Sequence, residues 1–240
     1  MITDKYFDRI VDVLNKIKST QTQKVMAAAE AVSNTILNDG IIYIFGCGHS
    51  HLIALDCFYR SGGLANVSAM LDTDLMLHNG AAKSSKMEKM SGIAESVFKR
   101  YCVTDKDLII IVSTSGKNTV PIEMAQIAAN NKIKSICVTS SEYFADKKDA
   151  PLLYECTDIY IDNCVPHGDA VIDISGAETK MGSVSTAASS FILQTVLMEG
   201  ADAAGKSGKA LPVYMSGNVD GGAEFNSKLI DKYMPRIKHL

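Results

Sequence analysis

The sequence predicts an α/β protein: a doubly wound, mainly parallel sheet preceded by a helical arm. Short apolar runs recur at 41–45, 65–71, 108–112, 133–138 and around 157–161. Helix-compatible segments lie between most of them, at 50–60, 88–101 and 118–130, and this alternation implies βαβ units. The centres of "LIIIVS" and "KIKSICVT" are nearly all apolar, as expected of strands buried on both faces.

Taken in order, the arm comes first. Phe7, Ile10, Val11, Leu14 and Ile17 step by threes and fours, Val25, Ala28, Ala29, Val32 and Ile36 repeat the pattern, and Asn38-Asp39-Gly40 supplies a stop. The run 41–45 breaks at Gly46, and Cys47-Gly48-His49-Ser50-His51 leads into the next helix. "LIIIVS" ends in Ser113-Thr114-Ser115-Gly116, with Asn118 and Thr119 opening another. Gly182-Ser183-Val184-Ser185-Thr186 introduces a last long helix over about 183–204, and the tail reads as a turn-rich loop followed by a short mixed-charge helix. With no internal repeat or low-complexity linker, one domain is expected: helices over 1–39, an α/β core over 40–205 and an extension over 206–240.

Composition narrows the function classes. The 240 residues are 47% hydrophobic and 21% charged, with a net charge of −3. This describes an ordinary globular chain without the basic field that nucleic acid would call for. The opening "MITDKYFDRIVDVLNK" is charged throughout, unlike the apolar segment of a signal peptide, and no run reaches membrane-span length. The six cysteines form no CxxC pair, so reduced core thiols and a cytoplasmic location are expected. His49 and His51 stand only two apart with no accompanying ligand spacing, so neither a metal nor any other cofactor is expected.

Three segments carry chemistry. In "GCGHS", Gly46 and Gly48 leave room for a ligand to approach the backbone, while His49 and Ser50 offer donors. A dinucleotide fingerprint would need glycine where His51 stands, and the GxxxxGK[ST] phosphate loop is absent. Ser113, Thr114, Ser115 and Thr119 surround a second helix start, and Ser183 and Ser185 a third. Each hydroxyl could be an ordinary helix cap; as a set they suit a phosphate dianion held by neutral donors.

These loops, in this order, resemble the sugar isomerase (SIS) domain family from the N-terminal helices to about residue 205. The tail "SGNVDGGAEFN" is similar to that of a bacterial SIS subfamily of predicted phosphosugar-binding proteins. The resemblance implies a flavodoxin-like, five-stranded parallel sheet, a phosphorylated sugar as ligand, and a homodimer or homotetramer with sites near subunit boundaries. It places Ser50, Ser113, Ser115 and Thr119 at phosphate-contacting positions.

Aldose–ketose isomerisation requires a base beside the carbonyl. Glu88 is the first candidate, at the expected start of the 88–101 helix, where the resemblance implies an acid/base glutamate. Ser85 three residues earlier also permits a capping box. His78 follows a strand and would lie near the rim; an ordinary surface histidine is the competing reading. His49 is preferred over His51. Glu224, in "DGGAEFN", suits either a loop closing over a sugar, from this or a second copy, or a plain exposed turn. Lys83, Lys86 and Lys89 could steer an anion. The expected activity is isomerisation of a phosphosugar by proton transfer, with elimination by a phosphosugar lyase or etherase, and non-catalytic sensing, as alternatives.

Overall fold

Ile109, Ile110 and Ile111 are consecutive and all 0% exposed, which a strand achieves only when both faces of its sheet are covered. The computed structural model describes residues 1–147 and 150–240. Strands β1 (Ile42–Gly46), β2 (Val67–Met70), β3 (Leu108–Val112), β4 (Lys134–Thr139) and β5 (Ile159–Asp162) form one 5-stranded sheet in the order β2-β1-β3-β4-β5. Each adjacent pair is parallel. All five apolar runs become strands, with ends shifted by a residue or two.

Side chains alternate across this sheet. Ile42, Ile44 and Ile110 share one core with Val32 and Ile36 of α2 (Thr22–Leu37), Ile53 of α3 (His51–Cys57), and Ile192 and Val196 of α7 (Ser185–Lys206). Tyr43, Phe45, Ile109 and Ile111 share the other with Val97 of α5 (Ile93–Phe98) and Met124 of α6 (Thr119–Asn130). Each such aliphatic side chain contributes about 1.5–3 kcal/mol, so the central strands are a rigid base for the loops at their ends. On α1 (Ile2–Thr20) the buried stripe runs through Ile10, Val13, Leu14 and Ile17. Phe7, expected on that stripe, is 65% exposed.

Of the helix expected over 88–101 only α5 forms, and a separate short helix, α4 (Ala81–Met87), precedes it. Gly92 caps α5 at φ +85°, a left-handed conformation that interrupts helical continuation. Glu88 therefore sits at the carboxyl end of α4, its N–H bonded 3.0 Å from the Ser84 carbonyl, and not at a helix start. The capping-box reading with Ser85 falls with it. A small antiparallel hairpin, β6 (Ala170–Ile172) with β7 (Met181–Ser183), was not anticipated. Ser183 closes that hairpin, and the last helix begins at Ser185.

The tail forms α8 (Gly222–Tyr233) and is held at the amino ends of the strands. Lys232 pairs with Asp39 at 3.6 Å and Arg236 with Asp107 at 2.6 Å, the two aspartates lying just before β1 and β3. The opposite, carboxyl ends remain for the loops that follow β1 and β3. Those two strands are neighbours, with Gly46 in register with Val112, and their connections leave for opposite faces. This reversal is where doubly wound sheets open a crevice.

Candidate functional site

Three separate segments meet at that crevice. His49 and Ser50 after β1, Thr114 after β3, and Ser185, Thr186 and Ser189 on α7 line one cleft, floored by Ile53 and Val112. The wall is built of hydroxyls and one imidazole, without a carboxylate or an ammonium group.

The first loop is drawn tight. A methyl group on Gly46 would stand 2.6 Å from the Ser50 carbonyl carbon and oxygen, so only glycine lets the chain fold back there. The Ser50 N–H reaches the Cys47 carbonyl at 3.0 Å, and Gly48 has φ +56°. His49 is exposed at the cleft. His51 is 4% exposed, with Nδ1 against the Gly48 carbonyl oxygen and its ring 6.2 Å from that of His78. Such a contact places a proton on Nδ1 and leaves Nε2 as the acceptor in the neutral ring. His78 is exposed, in the turn Leu77–Asn79.

In the second loop, Ser113 Oγ accepts the Gly116 N–H at 3.3 Å. Ser115 is half-buried. Thr119, expected on phosphate, donates instead to the Lys89 carbonyl at 3.0 Å. Beside it the Val120 N–H donates to the Glu88 carbonyl at 3.0 Å. These bonds fasten the α4–α5 connection to the first turn of α6. The Glu88 side chain is half-buried. Burial raises its pKa above the ordinary 4.5, against the opposing effects of Lys89 and Asn118. Burial likewise pushes the Cys47 thiol up, with Glu88 and Asp72 adding to the shift. Cys47 therefore stays protonated, and Glu88 is not among the residues that line the cleft.

The third loop differs from expectation. Ser183 lies off the cleft, its carbonyl accepting the Tyr6 hydroxyl at 2.6 Å. Ser185 is on the wall, but its Oγ donates to Asp169 at 2.7 Å, and the same carboxylate accepts the N–H groups of Val184 and Ser185 at 2.9 and 2.8 Å. Asp169 thus serves as the cap of α7. Thr186 and Ser189 are the α7 hydroxyls left to the cleft. Ser189 lies four residues after Ser185, on the same helical face, a spacing legible in "STAASS".

Glu224 lies in the first turn of α8 and is exposed, so it belongs to a helix and not to a loop. That helix is fixed at the amino ends of the strands, and Asn226 serves it by bonding the Met215 backbone at 2.9 and 2.8 Å. Lys83 pairs with Asp74 at 2.6 Å. Among the described residues, no group of three or more His, Cys, Asp or Glu is placed to hold a metal, and no helix is long and apolar enough to cross a membrane.

A profile of the SIS domain matches residues 5–140. The chain belongs to the SIS domain family. It is 40% identical over 244 residues to a UPF0309 protein of Thermoanaerobacter pseudethanolicus, covering 98% of this chain and 99% of that one. A UPF0309 protein of Halalkalibacterium halodurans is 38% identical over 234 residues, 96% of each chain. Among solved structures, phosphoheptose isomerase GmhA from Neisseria gonorrhoeae superposes with a TM-score of 0.54 at 18% identity, over 84% of this chain and 96% of that one. A phosphoheptose isomerase from Francisella tularensis gives 0.52 at 15%, over 85% and 96%. At such identities the likeness is one of fold.

Proposed function

We propose that this protein binds a phosphorylated sugar at the cleft and isomerises it by proton transfer beside the carbonyl. The observation that carries the reading is the convergence of Ser50, Thr114, Thr186 and Ser189 from three segments on one crevice at the strand-order reversal. Neutral donors fixed by backbone are what a phosphate dianion requires, and the fold relatives that are phosphoheptose isomerases support the same class. The cleft is ≈ 10 Å³, about what one water needs and smaller than a phosphoryl group. An assembly of two or four copies belongs to this reading, with Ile2 and Phe7 on α1 and Phe191 and Met198 on α7 left exposed for it.

With the phosphate anchored, the open-chain sugar extends past the first loop toward Glu88. The carboxylate takes the proton from the carbon next to the carbonyl and returns it to the neighbouring carbon. The hydroxyl proton moves between the two oxygens through His78, beside His51. Burial suits Glu88 to this work, since a base is most effective with a pKa nearer the working pH. Glu224 takes part only if a second copy brings it.

The test is proton NMR in D2O with aldose, ketose and 2-amino sugar 6-phosphates. Deuterium entering at C2 with the native protein, and not with Glu88→Gln, is the expected result. Exchange that persists in the variant removes Glu88 as the base. Broadened ligand lines without any exchange would convert the enzyme into a sensor.

A further inference from the structure

Asn163 follows β5 directly and is 0% exposed. Its Oδ1 accepts the Val165 N–H at 3.3 Å. A backbone N–H can only donate, so this contact fixes the amide orientation and turns the NH2 group the other way. There Nδ2 meets Thr114 Oγ1 at 3.3 Å and Ser189 Oγ at 3.4 Å. Both hydroxyls belong to the cleft wall, one from the loop after β3 and one from α7. An amide NH2 has two protons and no lone pair to offer, so each hydroxyl receives a hydrogen bond and must direct its own proton elsewhere. Among the described residues neither Thr114 nor Ser189 donates its side-chain proton to any acceptor. The remaining direction is the cleft.

We infer that Asn163 is the positioning residue that sets the polarity of the site. It loads the acceptor side of Thr114 and Ser189 so that both present O–H donors to an anion. It touches no ligand itself. Its carbonyl is held by Val165 and its N–H by the Thr139 carbonyl at 2.9 Å, so it cannot turn its amide over without abandoning a buried donor. A free hydroxyl adapts to donors and acceptors alike; one already accepting from a buried amide prefers an acceptor as its partner. The cleft thereby favours a phosphoryl or sulfate dianion over an amine or a cation. This inference rests on the reading of the cleft as a phosphate site.

The experiment measures inorganic phosphate and sulfate affinity by calorimetry at 10 °C in the native protein and in Asn163→Ala, Asn163→Asp and the pair Thr114→Val/Ser189→Ala. Circular dichroism checks that each is folded. Asn163→Ala should weaken both anions about 10-fold, and Asn163→Asp at least ~100-fold, because a carboxylate accepts both hydroxyl protons and leaves none for the ligand. Sulfate stays a dianion down to acid pH, so its binding to Asn163→Asp should recover as the carboxyl protonates, a response that a loss of packing alone would not give. In the Thr114→Val/Ser189→Ala background, Asn163→Ala should cost nothing further. If Asn163→Ala weakens binding equally in both backgrounds, Asn163 does not act through these hydroxyls and the inference fails, while the phosphate site stands. If the native protein binds neither anion, or the hydroxyl pair can be removed without loss, the phosphate reading falls and takes the inference with it. Should Asn163→Ala not fold, the pH recovery of Asn163→Asp decides alone.

Discussion

Replacing Gly116 with alanine separates two costs that the structure places at one atom. Gly116 has φ +60°, and a Cβ there would stand 2.5 Å from Thr139 Oγ1, 3.5 Å from Leu153 Cβ and 3.6 Å from Thr139 Cβ. The peptide cannot slide away, because the Gly116 N–H is bonded to Ser113 Oγ and its carbonyl accepts the Leu153 N–H at 2.8 Å. Thr139 cannot yield freely either, being 1% exposed with its hydroxyl donating to the Thr114 carbonyl at 3.3 Å. The left-handed conformation costs alanine roughly 1–2 kcal/mol, and the overpacking about 1–3 kcal/mol more. Gly116→Ala should therefore lose about 2–5 kcal/mol in equilibrium urea unfolding, or roughly 5–15 °C in Tm for a chain of this size. In a Thr139→Ala background the clash is gone and only the backbone cost remains, so the cycle should show a coupling of about 1–3 kcal/mol. A loss below about 1 kcal/mol, or the same loss in both backgrounds, would refute the reasoning.

Other expected outcomes follow from the same geometry. Because burial lifts Glu88 above its ordinary 4.5, the acid limb of kcat/KM should lie above the usual carboxylate range and vanish in Glu88→Gln, with kcat down about 10²–10⁴-fold. The sign for stability is opposite: a raised folded-state pKa gives a contribution that is full below the unfolded value and lost as pH rises through the folded one. Glu88→Gln should then gain stability relative to the native protein between pH 4 and pH 8, read from paired urea titrations. Asp107 is buried and bonded to Arg236 at 2.6 Å and to the Ile41 and Thr104 N–H groups at 2.7 and 2.6 Å. Arg236→Ala should cost about 1.5–3 kcal/mol, only partly restored by lysine. Asp169→Ala removes the cap of α7 and should cost about 0.5–2 kcal/mol, again by urea unfolding.

What was legible in the sequence followed from period and punctuation. The triplet Ile109–Ile111 within a short apolar run suits a strand covered on both faces, and a break at Gly46 after such a run suits a turn. Both rules concern neighbours in sequence, so they placed the strands, the two hydroxyl loops and α7. The assignments that changed depended on partners far along the chain. Thr119 looks like a phosphate ligand until the Lys89 carbonyl accepts its hydrogen bond, and Ser185 until Asp169, sixteen residues upstream, caps the helix it opens. Asn163 in "IDNCVP" carried one usable signal, a polar residue at the carboxyl end of a buried strand, where open α/β sheets place their ligands. Its bonds to Thr114 and Ser189 cross 49 and 26 positions, and no local pattern encodes them.

Glu88 shows why the flank proposed for catalysis was hardest to read. An uninterrupted helix over 88–101 would carry Glu88 on a first turn, where an acid is stabilised by the helix dipole and stays ionised. The left-handed Gly92 divides that segment, and Glu88 falls at the end of α4, where the dipole is unfavourable to a carboxylate. Two bonds from the start of α6 then draw this connection inward, and burial becomes the leading influence on the carboxyl group. The same break that defeats the helical period leaves Glu88 half-buried, the setting that the proposed base role calls for. Asn118 stands at the cap of α6, within the loop that also carries Thr114. On the proposed reading, a phosphate held at Thr114 would therefore sit on the loop that leads into α6, the helix whose first turn bonds the Glu88 and Lys89 carbonyls.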